Sequence, residues 1–266
     1  MAQVRETALI TGASAGIGLE LAMLFAEQGF DLVVVARRAE ELESLAERCR
    51  EAFGVRVDVR PMDLLTPAAP EKLVQRLADD AVEIDVLVNN AGLMDMGGFA
   101  SIAIEQHERL LQLNVCVLTS LTRRLLPQMI ERRRGRILNV SSISAFQPIP
   151  SMALYAASKA FVLSLSESLS EELKGSGVTV TALCPGITKT EMLDRAQDGH
   201  SIARSLPDVF LSNVKDVARE GFEACMAGKV VVVPGRSNQM MASSVGFYPR
   251  WLVRGVGGLI GRRSTR

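Results

Sequence analysis

Short apolar runs rich in β-branched residues alternate along this chain with longer stretches of helical spacing, and that alternation constrains the fold more than any other feature. Strands are predicted at Ala8–Thr11, Asp31–Ala36, Arg56–Met62, Val86–Asn89, Arg136–Ser141, Val178–Cys184 and Val230–Val233. Most are apolar throughout rather than at every second residue, as in a sheet covered on both faces. Helices are predicted in the gaps, at Ile17–Gln28, Ala39–Phe53, Pro70–Asp80, Ile104–Gln112, Val115–Arg133, Met152–Lys174 and Asn213–Ala227. Such alternation builds parallel βαβ units. The expected fold is α/β: a doubly wound, mainly parallel seven-stranded sheet with helices on both faces, Rossmann-like, in a single domain.

Bulk properties narrow the function. A 48% hydrophobic content is ample for a core, and a formal net charge of +0 gives no basis for nucleic-acid binding. Cys49, Cys116, Cys184 and Cys225 form no CxxC pair, so neither a disulfide framework nor a metal site is expected, and a reducing, cytoplasmic location fits. No secretory leader or membrane-spanning run is read in the chain. The two histidines, His107 and His200, have no ligand cluster around them and read as surface or loop residues.

Two regions depart from the alternation. The connection Ile187–Pro207 is long for a compact domain, and such connections are usually functional, often lids. The expected domain division is 1–236 for the catalytic unit and 237–266 for a tail carrying Phe247, Tyr248 and Trp251 with basic charges. Gly255, Gly257 and Gly258 weaken an amphipathic helix there. The tail is therefore expected to pack on the domain or a partner subunit, with membrane contact the less favoured alternative.

The first strand runs into Thr11-Gly12-Ala13-Ser14-Ala15-Gly16-Ile17-Gly18 and then a helix. Glycines let backbone approach a pyrophosphate, and a helix N-terminus offers it oriented N–H groups. The second strand ends in Arg37-Arg38, where an NAD site would place an acid for the ribose hydroxyls. Guanidinium groups there suit the 2′-phosphate of NADP. Asp63, after the third strand, could accept from the adenine amino group or cap its own turn. Asn89-Asn90-Ala91-Gly92 makes a small polar turn beside the same crevice.

Tyr155 and Lys159 stand four residues apart on one helix, which puts them on one face. A neighbouring ammonium is expected to lower the phenol pKa toward neutrality and so make it an acid/base. Ser142, after the fifth strand, is placed to polarise a substrate oxygen. Together the glycine turn, NNAG, Asn114, Ser142 and the Tyr155/Lys159 pair make the chain resemble the short-chain dehydrogenase/reductase superfamily, up to about Pro234.

The resemblance implies an NADP(H)-dependent enzyme that interconverts a carbonyl and an alcohol. On it Gly12, Ser14, Gly16, Ile17, Gly18, Arg37, Arg38, Asp63 and Asn90 bind cofactor. Pro185, Gly186 and Thr190 border the nicotinamide. Tyr155 is the acid/base, Lys159 tunes it and binds ribose, Ser142 steadies the substrate oxygen, and Asn114 holds a water in the proton relay. The glycine that often follows the serine segment is missing from Ser142-Ile143-Ser144-Ala145-Phe146. The mostly apolar candidate wall, with Met94, Met96, Phe146 and Met152, favours a hydrophobic small-molecule substrate. The resemblance also implies a homodimer or homotetramer pairing through helices 115–133 and 152–174. The alternative functions are a non-catalytic NADP-binding regulator of the same fold, or epimerisation or dehydration on an extended substrate.

Overall fold

The computed structural model describes residues 5–188, 212–245 and 255. Its strands are β1 (Thr7–Thr11), β2 (Asp31–Ala36), β3 (Val57–Pro61), β4 (Val86–Asn89), β5 (Gly135–Val140), β6 (Val178–Leu183) and β7 (Val231–Val232). They form one seven-stranded sheet in the order β3-β2-β1-β4-β5-β6-β7, every neighbouring pair parallel. The described helices are α1 (Gly16–Glu27), α2 (Ala39–Phe53), α3 (Ala69–Asp79), α4 (Ile104–Leu111), α5 (Leu118–Glu131), α6 (Ala153–Glu172), α7 (Val214–Met226) and α8 (Arg236–Val245).

The strands are uniformly apolar because each side of the sheet has its own core. Ala8, Ile10, Val34 and Val88 face Leu21, Phe25, Leu42 and Val217, which come from α1, α2 and α7. Leu9, Val33, Val35 and Leu87 face the other way, onto Leu73, Leu121, Leu125 and Met129 of α3 and α5. Phe25 is fully buried and meets Phe30 and Phe222 edge-on, at centroid distances of 5.2 and 4.8 Å.

The amino-terminal edge of the sheet is pinned by two buried acids. Asp85 accepts from the Thr7 N–H (2.9 Å) and from Arg134 Nε (3.0 Å). Asp31 accepts from the backbone N–H (2.9 Å) and Nε (2.8 Å) of Arg56. The carboxyl edge is left to the loops. Strand order reverses between β1 and β4, the point where an open parallel sheet leaves a crevice for a ligand.

Three features were not foreseen. A π turn, Gln112–Val117, joins α4 to α5, so the expected break at Leu113-Asn114 is a change of helical pitch. Ser142 caps a short 3₁₀ turn, Ile143–Phe146. Helix α8 covers the first residues assigned to the tail and lies against that 3₁₀ turn. Among the described residues no helix is long and apolar enough to cross a membrane, and no cluster could hold a metal ion.

Candidate active site

The glycine turn is built around Asn90. Its Nδ2 donates to the carbonyls of Thr11 (2.9 Å) and Gly12 (3.1 Å), while the Thr11 hydroxyl receives the N–H groups of Asn90 (3.0 Å) and Ala91 (3.1 Å). β1 and β4 are thus stitched together where the crevice opens. A Cβ on Gly18 would stand 2.3 Å from Asn90 Nδ2 and 2.4 Å from the Gly12 carbonyl oxygen, so this position has no room for a side chain. Gly12 and Gly16 hold φ of +68° and +57°, which L side chains rarely adopt. Helix α1 starts there with no side-chain cap and no acid in its first turn. Its first N–H groups and positive dipole end therefore face the crevice, and a dinucleotide pyrophosphate fits this cradle.

On the far side of the crevice, β5 and α6 bring three groups together. Ser142, Tyr155 and Lys159 are each less than a tenth exposed. Lys159 is held at both ends. Its carbonyl accepts from the Ser141 hydroxyl (2.8 Å), and its Nζ donates to the Val140 carbonyl (2.9 Å). Nζ stands 5.7 Å from the centre of the Tyr155 ring. The Ser142 hydroxyl lies beside the Tyr155 phenol and accepts from the Ser144 N–H (3.1 Å).

The electrostatics correct one expectation. Burial raises the Tyr155 pKa above its ordinary value, and the neighbouring Ser142 hydroxyl only partly opposes it. The same burial lowers Lys159 to about 8. Lysine does not pull the phenol down as expected because both groups are buried, and burial disfavours charge on each. The phenol therefore keeps its proton.

Asn114 sits in the π turn. Its Oδ1 accepts from the Leu93 N–H (2.8 Å), and its Nδ2 donates to the Leu93 carbonyl (2.9 Å) and to the Ser158 hydroxyl (3.1 Å). Ser158 in turn donates to the Tyr155 carbonyl at 2.7 Å. The asparagine thus ties the loop after NNAG to the helix that carries the tyrosine. A Cβ on Gly92 would meet Asn114 Oδ1 at 3.2 Å and Lys159 Nζ at 3.6 Å, so the two side chains converge on that glycine.

A family model for short chain dehydrogenases matches residues 6–201. The chain belongs to the short-chain dehydrogenase family. A putative ketoacyl reductase from Streptomyces coelicolor is 36% identical over 201 residues, 75% of this chain and 77% of that protein. A short-chain dehydrogenase from Sphingobium yanoikuyae, solved in complex with NADPH, is 37% identical with a TM-score of 0.80, covering 91% of this chain and 94% of its own. The bulky-bulky ketone specific alcohol dehydrogenase from Comamonas testosteroni is 32% identical with a TM-score of 0.76, covering 91% and 93%.

In this short-chain dehydrogenase the two arginines differ. Arg38 folds onto the glycine turn, its guanidinium donating to the Ser14 carbonyl (3.1 Å) and hydroxyl (3.3 Å), with Glu41 at 3.3 Å. Arg37 is exposed. Asp63 is exposed too, and its carboxylate accepts from the Leu65 N–H (3.0 Å), capping its own turn. Ile17 packs on the core beneath the turn. Thr190, Met192 and Leu193, with most of the expected lid, lie outside the described residues. Thr188, two residues after Gly186, forms a parallel bridge with Ser212.

Two residues escaped the sequence reading. Asn238 of α8 packs over Pro185-Gly186, where a Cβ on Gly186 would lie 2.5 Å from its side chain. Its Nδ2 donates to the Pro234 carbonyl at 2.8 Å. Nothing in the polar run of α8 marks it. His107 is no surface residue, being 6% exposed on α4. Its spacing to Leu110 and Asn114, three and seven residues on, repeats one buried helix face and would have located it.

Proposed function

We propose that this short-chain dehydrogenase uses NADP(H) to interconvert a carbonyl and an alcohol on a small molecule with an apolar body. The observation that carries the reading is the buried convergence of Ser142, Tyr155 and Lys159 across the crevice from an uncapped helix N-terminus and Arg38. Bound NADPH supplies hydride. The chain's own residues do the rest. Ser142 orients the substrate oxygen, Tyr155 gives it a proton, and Lys159 returns a proton toward the phenol. Asn114 uses its side chain to hold Leu93 and Ser158, so its part in the relay is assigned to its main chain within the π turn. Gly12, Gly16, Gly18 and Asn90 hold the pyrophosphate, Pro185 and Gly186 border the nicotinamide, and Thr190 is proposed with them from the resemblance alone. The NADPH-bound relative and the ketone-specific relative support the cofactor and the substrate class. The test is NADPH consumption over a panel of aliphatic, aromatic, steroid and acyl-thioester carbonyls. No turnover on any of them would favour the non-catalytic regulator.

Cofactor choice rests on Arg38, because its guanidinium already lies against Ser14 at the glycine turn. Arg37→Asp combined with Arg38→Leu is expected to move the kcat/KM ratio from NADPH toward NADH by at least about tenfold, the scale of one lost charge-assisted contact. An unchanged ratio would make both arginines bystanders.

We also propose a homo-oligomer. Ala153, Ala157 and Phe161 form an exposed small and apolar stripe on α6. Light scattering at micromolar concentration should give a dimer or tetramer, and a monomer refutes the pairing. Helix α8, the first stretch assigned to the tail, packs on the domain, and the same packing is proposed for the rest; Phe247, Tyr248 and Trp251 lie outside the described residues. The free cysteines suit a cytoplasmic location.

A further inference from the structure

Beside Tyr155 the surface dips into a small recess between the 95–102 loop, α4 and the start of α6. Phe99, Ile102, Met152 and Leu154 give it apolar walls, and Asp95 and His107 are its ionisable groups besides the phenol. His107 is buried and fixed. Its ring stacks on Phe99 with centroids 4.7 Å apart, and its Nε2 meets the Phe99 carbonyl at 3.1 Å. A carbonyl only accepts, so Nε2 carries a proton and donates. The other ring nitrogen, Nδ1, is buried and has no hydrogen-bond partner among the described residues. The same holds for Oδ2 of Asp95. Buried polar atoms are nearly always satisfied, and two orphans on residues that line one recess call for a common explanation.

Packing alone does not supply it. A histidine that served only to fill space would not need an ionisable neighbour, and an aspartate loses solvation here without gaining a donor. The recess admits a group about the size of a water molecule. A carboxylate is larger, brings no donor, and would be repelled by Asp95. A hydroxyl has the right size. It gives its hydrogen to one of the two orphan atoms and accepts from the other when that one is protonated.

We propose that Asp95 and His107 form a specificity subsite for a hydroxyl group carried by the carbonyl substrate, distinct from the oxygen that reacts at Tyr155. This rests on the carbonyl reading above and narrows it: the substrate is a hydroxylated carbonyl compound whose body is apolar and whose second oxygen is read by hydrogen bonds.

The test uses methyl ketones of increasing chain length, each with and without a terminal hydroxyl, against the full-length protein with NADP⁺ or NADPH. Binding is measured by calorimetry and turnover by NADPH consumption. At the chain length that spans the two sites, the hydroxylated ketone should bind and react at least about tenfold better than its deoxy partner, the discrimination expected of a site built to hydrogen-bond one group. Asp95→Ala and His107→Phe should each bring that ratio close to one. Asp95→Leu and His107→Leu keep bulk in the site if the first pair fails to fold, and should also reduce the ratio. Equal binding of hydroxylated and deoxy ketones at every chain length by the unaltered protein overturns the subsite. So does a ratio that survives all four substitutions, or tighter binding of the matching amino ketones. Discriminated binding without turnover keeps the subsite and overturns the oxidoreductase reading instead.

Discussion

Replacing Tyr155 by phenylalanine is expected to lower kcat for carbonyl reduction by about 10²–10⁴-fold, the usual contribution of a positioned acid or base. The substitution removes one oxygen and keeps the ring. The ring packs at the start of α6 and the hydroxyl lies beside Ser142, so the fold should lose little. NADPH affinity, read by nucleotide fluorescence, should change by less than about threefold, because a cofactor in this cradle rests on the turn around Asn90 rather than on the phenol. Loss of turnover with cofactor binding retained separates an acid/base from a structural tyrosine, which would lower both together. Residual activity above about one per cent removes Tyr155 from the chemistry, given the scale of acid–base contributions. The same experiment decides against a regulator, since a protein that only senses NADP has no turnover to lose.

The fold was legible because uninterrupted apolar runs alternate with helical spacing along the chain. Residues such as Val33, Val34 and Val35 are all apolar because each lies against one of two cores, so an uninterrupted run marked a strand covered on both faces. The site was legible for a related reason. Gly18 and Asn90 answer to backbone geometry, and Tyr155 and Lys159 to helical spacing, and each leaves a fixed mark in sequence.

What was not legible depends on three-dimensional neighbours. The π turn at Asn114 needs no unusual composition, since a single helix continues through it. Helix α8 is the run RSNQMMASSV, whose polar and small residues carry no clear apolar stripe, and its contact with Gly186 appears only once β6 and β7 are paired. Asp63 could be read two ways from sequence, and in the structure its carboxylate caps its own turn. The phenol pKa was misjudged because charge proximity is visible in a Tyr-x-x-x-Lys spacing and burial is not. Both side chains are under a tenth exposed, and the desolvation of each outweighs their mutual effect.

That desolvation sets the expected pH dependence. Lys159 sits near 8 and Tyr155 above its ordinary value, so on raising the pH the lysine gives up its proton first. Reduction needs the pair with both protons, one on the phenol for the substrate oxygen and one on the amine to replace it. Oxidation needs a pair that has already lost one. The kcat/KM for reduction should therefore be level below about 8 and fall above it, while that for oxidation should rise through the same region. Lys159→Arg keeps the charge but holds its proton throughout, since a guanidinium does not titrate in this range. It should erase the inflection in both directions. Lys159→Gln should also erase it and lower the reductive rate by about 10²-fold or more, as an acid–base partner is lost. The Val140 carbonyl that Nζ now satisfies would still find an amide donor in Gln, so a melting temperature close to that of the unaltered protein is expected for this variant. A reductive profile that stays level to pH 10, or an inflection that persists in Lys159→Arg, would assign the titration to another group and leave Lys159 a purely positional part in the site.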